Sequence, residues 1–345
     1  MKLSAECIRP AKRGARARRA AGPSETRVPT GPRGGSGIRR SRWGRNAMRR
    51  VVRAILLSVV LVLTAACGAG AGAQPDGLRI GAIPDQDPQQ LQRMYGVVSD
   101  YLRDRLGVPV EYVPVRDYAA AVAQFERGDL DLVFFGGLTG VQARTRVPGA
   151  VPIAQRDVDA RFRSVFVADA AAGIEPFTEV AGLAALKGHS FTFGSDTSTS
   201  GRLMPQHFLT RAGVSVADFA GEPGFSGSHD ATLKLVESGA YHVGVLSASV
   251  WDKRVAEGKV DTAEVREVFR TPTYHDYHWL ARPDLDDHRG QGFTDRVRDA
   301  LLGCDGSDDR EKQVLDLFAA GGFVAAAVGD YAEIEAVAGQ LGLLR

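Results

Sequence analysis

The sequence predicts an α/β protein built as two lobes around a cleft, and three observations carry that expectation. The chain of 345 residues exceeds what one core encloses, since single cores stop growing near ~250–300 residues. Apolar residues make up 44% of it, which is enough for sizeable cores. Short apolar strand patterns alternate with amphipathic helical ones, and this rhythm starts twice, near residue 78 and again near 190.

In the first run, 78–83 reads as a strand ending at Pro84. A helix follows over 89–106, with Leu91, Met94, Tyr95, Val98, Tyr101 and Leu102 at helical spacing and Gly107 as its stop. Then come a strand at 110–115, a helix at 118–127 and a strand at 130–135. The second run has a strand at 190–193, helices at 201–211 and 230–238, and a strand at 242–246. Patterns at 265–269 and 278–281 lead back out as strands, and the tail from 293 to 341 reads as helical. Such alternation implies mostly parallel sheets with helices on both faces. The expected boundaries are 78–170 plus 273–345 for the first lobe and 171–272 for the second. Ligands of open α/β sheets lie outside the carboxyl ends of the strands, which places a site in the crevice between lobes.

Charge is distributed unevenly. Residues 1–47 hold thirteen Lys/Arg and two acids among many Gly, Pro, Ser and Ala, a composition that cannot bury a core. This disordered basic segment reads either as a nucleic-acid-binding arm or, preferably, as a stretch ahead of a true start at Met48. From Met48 a basic start, an apolar run over 54–66 and then Cys67 follow the order of a secretory signal peptide. The apolar run is far shorter than the ~20 residues that span a bilayer. Leu63-Thr64-Ala65-Ala66-Cys67 resembles a lipobox, with Thr64 where Leu is commoner. Residues 48–66 are then a lipoprotein signal peptide, Cys67 the lipidation site, and 67–77 a Gly/Ala/Pro tether. Two acyl chains give a stable membrane anchor, so the expected location is extracytoplasmic and lipid-anchored. An ordinary signal peptide that happens to contain Cys is the alternative. From residue 68 onward there are 27 Lys/Arg and 39 Asp/Glu, a net −12, which argues against a nucleic-acid partner for the folded part. Cys304 is the one thiol left there and forms no internal disulfide, so export rests on the signal alone.

The sharpest local feature is Gly194-Ser195-Asp196-Thr197-Ser198-Thr199-Ser200-Gly201, where an apolar strand ends and a helix begins. A helix start offers unpaired N–H groups and the positive end of its dipole. Ser198, Thr199 and Ser200 add hydroxyl donors there, making an anion cradle that needs no cation. One Ser or Thr would satisfy a plain N-cap, and three exceed it. Phe225-Ser226-Gly227-Ser228-His229-Asp230 lies at another strand-to-helix turn. Ser228 or Asp230 can cap that helix, leaving His229 free to face the crevice.

Together with the run from Asp117 through Gly137, these two segments resemble the phosphate/phosphonate-type periplasmic substrate-binding family of ABC importers, over about residues 78 to 345. Later runs, Tyr274 to Leu280, Gly292 to Leu302 and Tyr331 to Ala336, look like the branch described as selenate binders. The resemblance implies a type II periplasmic binding protein fold with a hinge and an inter-lobe cleft, and no cofactor. It implies oxyanion contacts from Tyr118, Ser198, Thr199, Ser200 and His229, and an added charge from Arg163 if that side chain faces inward. Relatives that bind aminophosphonates use second-lobe carboxylates for the amine. Here Val245 to Ser249 offers none before Asp252, which speaks against an amine-bearing ligand.

The expected protein is therefore a monomeric, non-catalytic receptor that hands a tetrahedral oxyanion to an ABC transporter permease. A pocket of donors alone favours a fully ionised dianion such as selenate or sulfate, because a protonated anion would leave its O–H unsatisfied. A phosphonate, phosphite or phosphate ligand is the alternative. Two other classes stay open: a hydrolase using Ser200, His229 and an acid, and an exported sensor domain. No Gly-x-Ser-x-Gly elbow supports the hydrolase. His275, Asp276 and His278 lack the further ligands of a metal site, so no metal is expected. Asp129 and Asp131, beside a strand, read as solvent-facing.

Overall fold

The computed structural model describes residues 77–344. The basic segment, the signal peptide, Cys67 and the tether up to residue 76 lie outside the described residues. Among those described, the strands in chain order are β1 (Leu78–Ala82), β2 (Val110–Tyr112), β3 (Leu132–Phe135), β4 (Val151–Arg156), β5 (Ser164–Asp169), β6 (Phe191–Phe193), β7 (Gly224–Phe225), β8 (Val243–Ser247), β9 (Val265–Arg270), β10 (His278–Ala281) and β11 (Phe323–Val324). They form a six-stranded sheet, β11-β4-β10-β3-β1-β2, and a five-stranded sheet, β7-β6-β8-β5-β9. We call each sheet with its helices a lobe.

Helices α1 (Pro88–Leu106), α2 (Tyr118–Arg127) and α3 (Gly137–Arg146) belong with the first sheet. Asp87 caps α1 by accepting from the N–H groups of Gln89 and Gln90, Pro88 opens it, and Gly107 ends it at φ 69°. Asp117 caps α2 through the N–H of Ala120. In the second lobe, α4 (Met204–Arg211), α5 (His229–Glu237) and α6 (Ala248–Ala256) follow β6, β7 and β8. The tail folds as α7 (Leu285–Arg289), α8 (Phe293–Leu302), α9 (Asp309–Phe318) and α10 (Ala332–Gln340). Aromatic side chains fill both cores: Tyr95, Trp279 and Phe318 in the first, Phe166, Phe191 and Phe269 in the second.

Three expectations need correction. The sheets are mixed: β1 runs parallel to β2 and β3, but β10 is antiparallel to β3 and β4, and β5 is antiparallel to β8 and β9. Residues 164–169, expected in the first lobe, are β5 at the heart of the second sheet, so the chain crosses before residue 164. A buried strand reads as the same apolar run whichever sheet receives it. Asp131 does not face solvent; it is buried and accepts from the backbone N–H and guanidinium of Arg79.

The two crossing segments are hydrogen-bonded to each other. Phe162 N–H donates to the Tyr274 carbonyl at 2.8 Å, and Tyr274 N–H donates back at 3.0 Å. Ser164 and Thr271 extend this pairing, with Ser164 N–H donating to Thr271 Oγ1 at 2.9 Å. Beside them, Arg156 donates through Nε and Nη2 to Asp159 at 2.7 and 2.6 Å, and its guanidinium lies 5.0 Å over the Tyr277 ring. That arrangement holds the return segment, including Asp276 and Tyr277, against both lobes.

Candidate ligand-binding site

The three hydroxyl residues at the second-lobe turn have three different tasks. Gly194 N–H donates to the Gly201 carbonyl at 2.8 Å, and a Cβ on Gly194 would come within 3.2 Å of the Gly201 Cα, a tight approach that glycine eases. Ser198 is the cap, its Oγ accepting from Gly201 N–H at 2.9 Å. Thr199 opens a single π turn, Thr199–Leu203, that runs into α4. Its Oγ1 crosses to the first lobe and accepts from Leu138 N–H, in the first turn of α3, at 3.0 Å. Ser200 Oγ is buried and has no hydrogen-bond partner among the described residues.

From the first lobe, Tyr118 lies near Ser198 of this turn and Asp276 near its Thr199. Tyr118 starts α2, is 1% exposed, and its hydroxyl is also unpartnered. Burial pushes this phenol well above its ordinary range, while the nearby Ser198 hydroxyl pulls weakly the other way. Tyr118 therefore keeps its proton and acts as a donor. Asp276 sits on the return segment, 1% exposed; its Oδ1 accepts from Gly137 N–H at 2.9 Å and its Oδ2 has no partner. Burial pushes this carboxyl up to about 7, against the opposing pull of the Gly137 N–H and the Thr199 hydroxyl. A Cβ on Gly136 would lie 3.2 Å from Thr199 Oγ1 and 3.3 Å from Asp276 Oδ1, so glycine lets the start of α3 approach both. The start of α3 and the hydroxyl-bearing turn before α4 thus meet at one buried spot, and each contributes the positive end of its dipole.

His229 departs from its expected role. Ser247 N–H donates to its Nδ1 at 3.3 Å, so the ring proton sits on Nε2, 3.1 Å from the Tyr277 hydroxyl. That hydroxyl donates to Asp85 Oδ2 at 2.9 Å, and His229 N–H donates to the Asp85 carbonyl at 2.8 Å. Both ring nitrogens have protein partners, and the residue joins the lobes rather than offering a free donor. Burial holds this imidazole down at about 4, so it is neutral at pH 7, and pushes the Asp85 carboxyl up to about 6. Arg163 also departs: its side chain is exposed and donates to the Thr271 carbonyl at 2.8 Å, apart from the hydroxyl cluster. The strand register explains this, because Ser164, the next residue, points the opposite way and is buried against Ser200 and Tyr274.

Sequence reasoning missed Asp276. It stood in plain view between His275 and Tyr277, but only the folded return segment brings it against α3 and Thr199. No group of His, Cys, Asp or Glu among the described residues has the arrangement of a metal site. Chemically, the cluster offers the donors Tyr118 and Ser200 and one carboxyl oxygen poised near neutrality. The premise of a donor-only pocket, and the preference for a fully ionised dianion built on it, fails at Asp276. No hydrogen bond joins Ser200 Oγ to His229, as a serine hydrolase would require.

A profile described as ABC transporter, phosphonate, periplasmic substrate-binding protein matches residues 80–331. The chain belongs to that family. Members are extracytoplasmic binding components that work with ABC permeases, and the architecture is that of a type II periplasmic binding protein. The probable ABC transporter phosphite binding protein PhnD1 of Prochlorococcus marinus (strain MIT 9301) is 44% identical over 274 residues, covering 79% of this chain and 92% of the relative. The phosphate-import protein PhnD of Mycolicibacterium smegmatis is 26% identical over 208 residues, 57% of this chain and 63% of the relative. A solved structure of the Prochlorococcus PhnD1 in complex with methylphosphonate matches with a TM-score of 0.77 at 44% identity, covering 78% of this chain and 100% of that one. These relatives concern phosphite, phosphate and phosphonate, and lend no support to the narrower selenate branch. No helix among the described residues is long and apolar enough to cross a membrane.

Proposed function

We propose that this phosphonate-family receptor captures a phosphite or small alkylphosphonate anion between its lobes and delivers it to an ABC permease. The observation that carries the reading is the unpaired, buried set of Tyr118 hydroxyl, Ser200 hydroxyl and Asp276 Oδ2. Each buried polar atom left without a partner costs ~1–3 kcal/mol, and a tetrahedral oxyanion bearing one proton would satisfy all three together. Two hydroxyls donate to anionic oxygens, while Asp276 and the anion share a single proton. Ser198 and Thr199 shape the cradle, the helix starts add positive potential, and His229 acts through closure of the lobes. Arg163 has no part in this reading.

The 44% identity to a phosphite binding protein supports phosphite or a phosphonate over sulfate and selenate. Ser247 and Ser249 bond each other at 2.9 Å where aminophosphonate binders would need a carboxylate, which supports a ligand without an amine. Attachment through an acylated Cys67 and a monomeric state belong to the same proposal. Calorimetry with phosphite, methylphosphonate, phosphate, sulfate and selenate tests it. The expected ranking places phosphite or methylphosphonate first at pH 7, and a protein that prefers selenate refutes it.

A further inference from the structure

The start of α5 grips the first lobe at a second place, beyond His229. Asp230 and Arg254, both in the second lobe, form a bidentate pair: Arg254 Nε donates to Asp230 Oδ1 at 2.8 Å and Nη2 donates to Oδ2 at 2.9 Å. The Arg254 side chain is 9% exposed and that of Asp230 13%. Two further bonds leave this pair for the opposite lobe. Asp230 Oδ2 accepts from the backbone N–H of Asp87 at 2.8 Å, and Arg254 Nη2 donates to Gln90 Oε1 at 2.7 Å. Asp87 caps α1, so the carboxylate also faces the positive end of that helix.

We propose that Asp230 and Arg254 are positioning residues that latch the lobes shut and set how long the anion stays bound. The proposal rests on the ligand reading above. The ion pair lies within one lobe and persists whether the cleft is open or closed. Only the bonds to Asp87 and Gln90 depend on closure, so only they shift the balance between the two states. Bonds to charged groups are the stronger kind, which makes this pair a better latch than neutral side chains would be. The latch borders an outer groove lined by Arg93, Leu233 and Lys234 among others, and neither Tyr118, Ser200 nor Asp276 lines that groove. It therefore acts on closure without touching the anion.

Capture begins in the open state and release requires reopening, so loss of the latch speeds release and leaves capture alone. Stopped-flow measurements with methylphosphonate and phosphite on the wild-type protein, Asp230→Ala and Gln90→Ala test this. The expected dissociation rate rises on the order of tenfold in Asp230→Ala and a few-fold in Gln90→Ala. Association rates stay within about twofold, and the ranking of phosphite, methylphosphonate and sulfate is unchanged. Gln90→Ala alters a side chain at the edge of α1 and keeps the test valid if Asp230→Ala fails to fold. Unchanged dissociation in the folded variants, or an altered ligand ranking, overturns the latch. A wild-type protein that binds none of the three anions overturns the ligand reading, and the latch with it.

Discussion

Replacing Asp276 by Asn isolates the proton that we place between protein and ligand. The carboxyl is 1% exposed, one oxygen is held by Gly137 N–H at 2.9 Å, and the other is free. Burial pushes it up to about 7. A fully ionised anion such as sulfate has no proton, so Oδ2 must carry one to donate. Above pH 7 that proton has to be put back, at about 1.4 kcal/mol per pH unit, or tenfold in affinity. Wild-type sulfate affinity is therefore flat below pH 7 and falls roughly a hundredfold between pH 7 and 9. A phosphonate titrates as well, and its complex holds one shared proton, so its affinity peaks near neutrality and declines on both sides. In Asp276→Asn the amide N–H donates without titrating. Sulfate affinity should then be level from pH 6 to 9. Calorimetry at four pH values reads both effects. A wild-type sulfate affinity that ignores pH, or the same slope in the Asn variant, would refute the shared-proton argument. Folding obeys a matching sign. A carboxyl raised from 3.8 to about 7 contributes stability that is full below 3.8 and lost as pH rises through 7, so the Asn variant should gain melting temperature over wild type above pH 7.

Tyr118→Phe and Ser200→Ala each remove a buried hydroxyl that has no protein partner, so ligand-free melting temperatures should hold or rise while affinity drops at least tenfold, about 1.4 kcal/mol. Gly136→Ala places a methyl 3.2 Å from Thr199 Oγ1 and 3.3 Å from Asp276 Oδ1; binding measured by calorimetry should weaken several-fold with circular dichroism unchanged. Asp159→Ala strands the buried Arg156 guanidinium, and urea unfolding should show a loss of ~3–5 kcal/mol. Burial holds His229 down at about 4, so its contribution is present above 6.5 and lost as pH falls through 4. His229→Gln should accordingly lose less stability than wild type between pH 6.5 and 4 in urea titrations.

Several features were readable from local pattern because local physics sets them. The apolar spacing of Leu91, Tyr95, Val98 and Leu102 marks α1, and Asp87, Pro88 and Gly107 bound it by capping and by a left-handed turn. The hydroxyl run at 198–200 announces a helix start whose N–H groups need partners. Tyr118 stood out through resemblance, and the structure buries its hydroxyl beside Ser198. Two expectations failed for reasons local pattern does not contain. Arg163, just before β5, turns outward because Ser164 beside it turns inward, and the pairing of β5 decides which way Ser164 faces. The partners of His229, Ser247 and Tyr277, come from segments 18 and 48 residues away.

The sequence by itself determined that the chain alternates strands and helices in two runs and that a run of hydroxyls stands at one helix start. Periodicity, caps and a run of hydroxyls are short-range properties, expressed within a few residues. Which strands share a sheet, that Asp276 meets Thr199, and that Asp230 reaches Asp87 were decided by tertiary structure alone. A carboxylate carries no sign of its role until burial strips its water and a neighbour from another lobe takes that water's place.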